Sequence, residues 1–63
     1  MELTADQKKA MIQQRLDMYK QQIFSLEMDK IALHAVNDEE GVKSIDERIE
    51  ALRKAYKAVE GMM

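Results

Sequence analysis

Val42, Ile45, Ile49, Leu52, Tyr56, Val59 and Met63 follow one another at steps of 3, 4, 3, 4, 3 and 4 residues, an apolar seam sustained to position 63. A repeat averaging about 3.5 residues marks a helix packed along one stripe against another helix, and a strand, whose side chains alternate, cannot produce it. A matching stripe stands upstream. Ile12, Leu16, Tyr19, Ile23, Leu26, Lys30 and Leu33 step by 4, 3, 4, 3, 4 and 3 residues, with Lys30 the one polar member.

The two stripes predict their own pairing. Thr4-Ala5-Asp6-Gln7 reads as a capping box that starts the first helix near Thr4, and no Gly or Pro interrupts the chain from there to Val36. Asn37 tolerates a left-handed conformation, Asp38 suits an N-cap, and Glu39 and Glu40 suit the positive end of a new helix. Folding back at Asn37 and Asp38 sets Leu33 opposite Val42, Lys30 opposite Ile45, Leu26 opposite Ile49, Ile23 opposite Leu52, Tyr19 opposite Tyr56, Leu16 opposite Val59 and Ile12 opposite Met63. A short connection makes neighbouring helices antiparallel, so loop position and periodicity agree. Residues 1–63 are read as a single all-α antiparallel hairpin, with helix 1 over about 4–36, the turn at about 37–38 and helix 2 over about 39–60.

Two features compete with those bounds. Ser44-Ile45-Asp46-Glu47 is a second capping box that offers a later start to helix 2, although Val42 fits the seam. Gly61 offers a C-terminal stop that leaves Met62 and Met63 frayed and the Ile12/Met63 layer unmade. Charges at the flanks of the seam predict Asp29 near Arg48, Glu27 within reach of Arg53 and Lys20 within reach of Glu60. Exposed pairs of this kind are worth only ~0.2–1 kcal/mol each, so they tune the register and do not drive folding.

With the seams taken as the facing positions, the outward face of helix 1 consists of Ala10, Met11, Gln14, Asp17, Met18, Gln21, Phe24, Ser25, Met28, Ile31, Ala32 and Ala35, and only Asp17 is charged. The corresponding face of helix 2 holds Glu40, Lys43, Ser44, Glu47, Glu50, Ala51, Lys54, Lys57, Ala58 and Gly61, six of them charged. Helix 2 has a solvated back; helix 1 does not. A helix that is apolar or neutral nearly all round is normally covered on more than one side, which a lone hairpin cannot do. Small domains also lack core: a chain near 60 residues buries only about 60% of its unfolded surface, and this one has no cysteine with which to add disulfides. Met11, Met18, Phe24, Met28, Ile31, Ala32 and Ala35 are therefore the candidate oligomer or partner interface. A homodimer forming a four-helix bundle, with helix 1 inside, is the favoured assembly.

The other polar residues support no catalytic or metal chemistry. His34, the single histidine, shares a flank with Glu27, but one imidazole and one carboxylate make a poor metal site, and a hydrogen bond or ion pair to Glu39 or Asp46 is the simpler role. Lys30 reads as a stem laid along the seam with its ammonium in water, or as a polar device that selects register. Tyr19 and Tyr56 read as seam aromatics with their hydroxyls at the edge. Arg53, Lys54 and Lys57 form a local basic cluster, yet Glu50 and Glu60 lie within a turn of it, and 10 basic residues against 12 acidic give a net charge of -2. Nucleic acid is thus a weaker expectation than a protein partner. No run approaches the length of a membrane span, and MELTADQKK lacks the basic-then-apolar order of a signal peptide. A cytoplasmic, non-enzymatic protein without a cofactor is expected.

In outline the hairpin resembles the Rop family of plasmid copy-number regulators, short two-helix chains that dimerise into four-helix bundles and bind RNA hairpins. The likeness is one of architecture and transfers no residue. The stretches QIFSLEMDKIAL, NDEEGVKSIDERI and LRKAYKAVEG are similar to those of small uncharacterised proteins of tailed-phage genomes, which implies an infected bacterial host's cytoplasm as the setting. Together these readings make the chain a self-associating binding or assembly protein. The rival expectations are a small inhibitor or adaptor that uses the Phe24, Met28 and Ile31 face, and a Rop-like RNA binder.

Overall fold

Thr4 sits in extended backbone (φ -71°, ψ 164°), and its Oγ1 accepts the Gln7 N–H at 3.1 Å while Gln7 Oε1 accepts the Thr4 N–H at 2.9 Å. Both bonds of the capping box are made, which satisfies two donors that a bare helix start leaves unpaired. In the computed structural model, which describes residues 2–63, helix α1 follows as Ala5–Ala35 and helix α2 as Glu39–Glu60. The two pack against each other as a hairpin.

The joint is made by two residues. Asn37 has φ 60°, the one positive φ among the described residues, and its N–H donates to the His34 carbonyl at 3.1 Å. The Asp38 N–H reaches back to the Leu33 carbonyl at 3.0 Å. This pair of bonds is a Schellman closure, with Asn in the left-handed position usually filled by Gly. Asp38 then opens α2: its Oδ1 accepts the Gly41 N–H at 3.0 Å and its carbonyl accepts the Val42 N–H at 3.0 Å. Because α2 is capped there, Ser44 and its neighbours lie inside the helix and form no second start. Gly41 has a steric role, since a Cβ on it would stand 2.6 Å from Asp38 Oδ2 and 3.0 Å from Leu33 Cδ1.

The far end departs from a left-handed stop. Gly61 remains right-handed (φ -65°, ψ -10°), and beyond it the Met62 N–H bonds to the Val59 carbonyl at 3.0 Å and the Met63 N–H to the Glu60 carbonyl at 3.1 Å. These are three-residue bonds, which wind the chain about 120° per residue against about 100° in an α-helix. The tighter winding swings the terminal methionines round by part of a turn. Met62 lines a cleft with Ile12 and Val59 but is 69% exposed, and Met63 is 59% exposed.

Every seam residue from Ile12 to Val59 is at least half-buried, but only Leu16, at 2%, and Ile49, at 8%, are fully covered. Two helices side by side enclose a line, not a volume. The molecule measures 51 × 16 × 15 Å and has a radius of gyration of 15.3 Å, against about 11 Å for a compact chain of this length. Its accessible surface of 5234 Å² compares with about 4,200 Å² for a folded monomer of its mass, an excess near 1,000 Å². No helix among the described residues is long and apolar enough to cross a membrane.

The joint carries a specific expectation. Asp38→Ala should lower stability by about 1 kcal/mol through loss of the cap, whereas Gly41→Ala should change it little, because about 1 kcal/mol of helix propensity is offset by displacing the capping carboxylate. In the Gly41→Ala background, Asp38→Ala should then cost almost nothing. Urea melts of the four proteins by circular dichroism complete the cycle, and an undiminished cost would mean that the cap survives the added methyl.

Candidate interaction surface

The outward face of α1 remains uncovered along its whole length. Met11 is 56% exposed, Met18 45%, Phe24 62%, Met28 50% and Ile31 71%, and Ala32 and Ala35 beside them are exposed too. These are the seven residues singled out from the helical periodicity, and the fold brings them onto one side of one helix, away from α2. Thioether, aromatic and branched aliphatic groups in one stripe form an adaptable apolar surface. The corresponding side of α2 presents charge.

Two edges separate that face from the seam, and they differ. Along one edge α1 is tied to α2: Lys30 Nζ lies 2.7 Å from Asp46 Oδ1, Arg53 Nη2 lies 3.6 Å from Glu27 Oε1, His34 Nδ1 approaches Glu39 Oε1 at 4.0 Å, and Lys20 Nζ stands 5.7 Å from the centre of the Tyr56 ring. Lys20 thus chooses the face of Tyr56 over Glu60, a cation–π placement that needs less reach. The His34 contact is an ion pair only when the imidazole is protonated. Lys30 lays its stem along the seam and carries its charge out to an exposed carboxylate, the snorkelling arrangement.

The other edge is open. Lys8, Arg15, Gln22, Asp29 and Val36 recur there every seven residues, and among the described residues no ion pair within 4.0 Å joins them to α2. Asp29 and Arg48, which the register sets near each other, do not meet; Arg48 lines a groove with Gln22, Ser25, Leu26 and Leu52. Arg15 and Asp29 are left solvent-facing, two heptads apart on one helix.

Four apolar residues outside the predicted interface extend the exposed surface, Met63 at 59% among them. Leu3 is 48% exposed, Val36 71% and Met62 69%. Leu3 precedes the N-cap, where an apolar residue often staples to the fourth helical residue, but that residue is Lys8. Instead Leu3 lines a cleft of about 400 Å³ with Lys8, Met11, Ile12, Arg15, Val59 and Met62, at the end where α1 outruns α2. The staple position of Leu3 was a readable signal; the place of Met62 depended on the winding after Gly61 and was not. On α2, Arg53, Lys54 and Lys57 line a separate groove of about 330 Å³ with Glu50 and Tyr56. Among the described residues no group of three His, Asp or Glu side chains gathers as a metal site would require.

Lys30 offers a test of how much the tied edge matters. Both partners of its ion pair are about half exposed, so the pair is worth at most ~1 kcal/mol, and a thioether in its place would bury more apolar area in the seam. Lys30→Met should therefore raise the hairpin's stability by about 1 kcal/mol in thermal or urea unfolding; a comparable fall would assign Lys30 a role in setting the register. Comparison of the chain with protein-family models, with curated proteins and with solved structures finds no match.

Proposed function

We propose that this protein is a non-enzymatic binding or assembly module that associates with a second copy of itself through the outer face of α1 and offers the outer surface of the resulting helical bundle to a protein partner. The observation that carries the reading is the contrast between the backs of the two helices: α1 exposes Met11, Met18, Phe24, Met28 and Ile31, whereas the back of α2 is charged. A stripe of large apolar groups on a protein with so thin a core supports an interface, because water otherwise contacts most of what the chain has available to bury. The surplus of accessible surface, near 1,000 Å², is of the size that one partner contributes to a stable interface, about 800 Å². A cytoplasmic setting belongs to the same proposal.

The direct test is sedimentation equilibrium over a concentration series, with helicity followed on dilution. The wild-type chain should sediment at twice its 7.3 kDa mass. Phe24→Glu or Ile31→Glu should give a monomer of reduced helicity: losing about 2 kcal/mol of burial in each of two symmetric copies weakens dimerisation by roughly a thousandfold. Unchanged mass and helicity in both variants would remove the interface from this face. A wild-type chain that is already a folded monomer would favour the rival in which the same face binds another protein as an inhibitor or adaptor.

One observation favours a second reading, RNA binding through the groove of Arg53, Lys54, Tyr56 and Lys57 on the outside of α2. It is weakened by Glu50 in the same groove and by the engagement of Arg53 with Glu27. Phosphate-dominated binding predicts retention on an RNA column that falls steeply with salt and is lost in Lys54→Gln/Lys57→Gln. Equal, weak retention of both proteins would discard it.

A further inference from the structure

The outer face of α1 holds information about how a second copy must lie on it. Along two of the three outward rows, those that leave aside Ala10, Asp17, Phe24 and Ile31, the N-terminal half of the helix carries the long side chains of Met11, Gln14, Met18 and Gln21. The C-terminal half continues with Ser25, Met28, Ala32 and Ala35, three of them small. These eight residues again step by 3 and 4, so they form a second seam on the back of the helix. Its side chains shrink from one end to the other. Two such seams laid parallel would stack methionine on methionine at one end and alanine on alanine at the other, an uneven fit along these two rows. Laid antiparallel, long meets short and the helices stay evenly spaced.

Resting on the self-association proposed above, we infer that the occupant of this face is a second copy whose α1 runs antiparallel to the first, with the two-fold axis crossing near residue 23. The register that brings Arg15 level with Asp29 of the second copy pairs the second seam in facing layers over most of the helix, and it sets Asp17 level with Ile31. It places Met18 against Met28 of the second copy, Gln14 against Ala32 and Met11 against Ala35. At the axis Gln21 lies against Ser25, two groups able to hydrogen-bond each other, a polar layer of the kind that pins register. On one side Phe24 meets Phe24 of the other copy, an aromatic pair at the axis. On the other, the open edge of the hairpin, Arg15 comes level with Asp29 of the second copy, and by symmetry this happens twice. Both are among the charges that α1 leaves without an ion pair to α2, while its other edge is tied by Lys30 and Glu27. A parallel dimer would put Arg15 level with Arg15 and leave Asp29 two heptads away.

The chain contains no cysteine, so single cysteines can be introduced without background and treated with a short bis-maleimide. Gln22 stands at the axis on the open edge, so Gln22→Cys should couple to its own copy and shift most of the protein to twice 7.3 kDa. Met11→Cys and Ala35→Cys should each fail to self-couple, since identical residues there are over 30 Å apart at about 1.5 Å per residue, yet an equimolar mixture should couple. Arg15→Glu and Asp29→Lys provide a test without cysteine: each alone should weaken the dimer severalfold and the double variant should restore it. Self-coupling of Met11→Cys or Ala35→Cys would mean a parallel pair and overturn the inference. So would failure of Gln22→Cys to couple in a protein that sediments as a dimer. If the wild-type chain sediments as a monomer and no variant couples, the failure lies with self-association itself.

Discussion

The fold hangs on the two-residue joint at Asn37 and Asp38. One aspartate ends a helix through its backbone N–H, bonded to the Leu33 carbonyl, and begins the next through its carboxylate, bonded to the Gly41 N–H. Nothing longer would hold the two seams in a single phase. A slip of one residue along a helix rotates a side chain by about 100°, enough to carry a seam residue to the flank, so a flexible connection would allow several registers of similar energy. Asn37 at φ 60° supplies the reversal, and Gly41 leaves room for the carboxylate that caps α2. Every later contact, from Leu33 and Val42 at the turn to Ile12 and Val59 at the open end, inherits its alignment from this point.

Precise alignment does not make a deep core. Two helices cover each other along one stripe, and among the described residues only Leu16 and Ile49 are fully enclosed. The ion pairs at the tied edge are too exposed to compensate, since water and salt screen them. Covering a second face is what the proposed assembly would add to such a molecule. The two backs divide by chemistry: that of α1 is apolar and exposed, that of α2 charged. This division connects the thin core of the hairpin to the proposal that it acts as an assembly, in which the buried helix provides cohesion and the outer helix provides the surface seen by partners.

The asymmetry of the edges has the same logic. Lys20, Glu27, Lys30 and His34 are directed across to α2, so that side of the hairpin is closed by its own residues. Arg15 and Asp29 are not engaged in this way and flank the apolar stripe. Charges at the rim of an interface contribute more to orientation and partner choice than to affinity, and complementary charges placed symmetrically on one helix favour a two-fold antiparallel arrangement.

Much of this was legible in the linear chain because it depends on short-range chemistry. The capping box at Thr4, the reversal at Asn37 and the cap at Asp38 each involve residues within a few positions of one another, and the heptad steps express a helix geometry common to all proteins. The two-helix hairpin and the identity of the face left over follow from these local rules. What only the tertiary structure decided were outcomes of competition between partners at similar range. Lys20 took the ring of Tyr56 over Glu60, and Asp29 did not meet Arg48. Met62 and Met63 both stayed exposed, Met62 at the mouth of the cleft beside Ile12 and Val59, after three-residue hydrogen bonds beyond Gly61 changed the winding by a fraction of a turn. The sequence by itself determined which residues form helices and where they reverse, since backbone hydrogen bonding and apolar periodicity are strong and local. Which of several weak, long-armed side-chain contacts is made was left to the three-dimensional distances, because alternatives within about 1 kcal/mol are separated only by geometry.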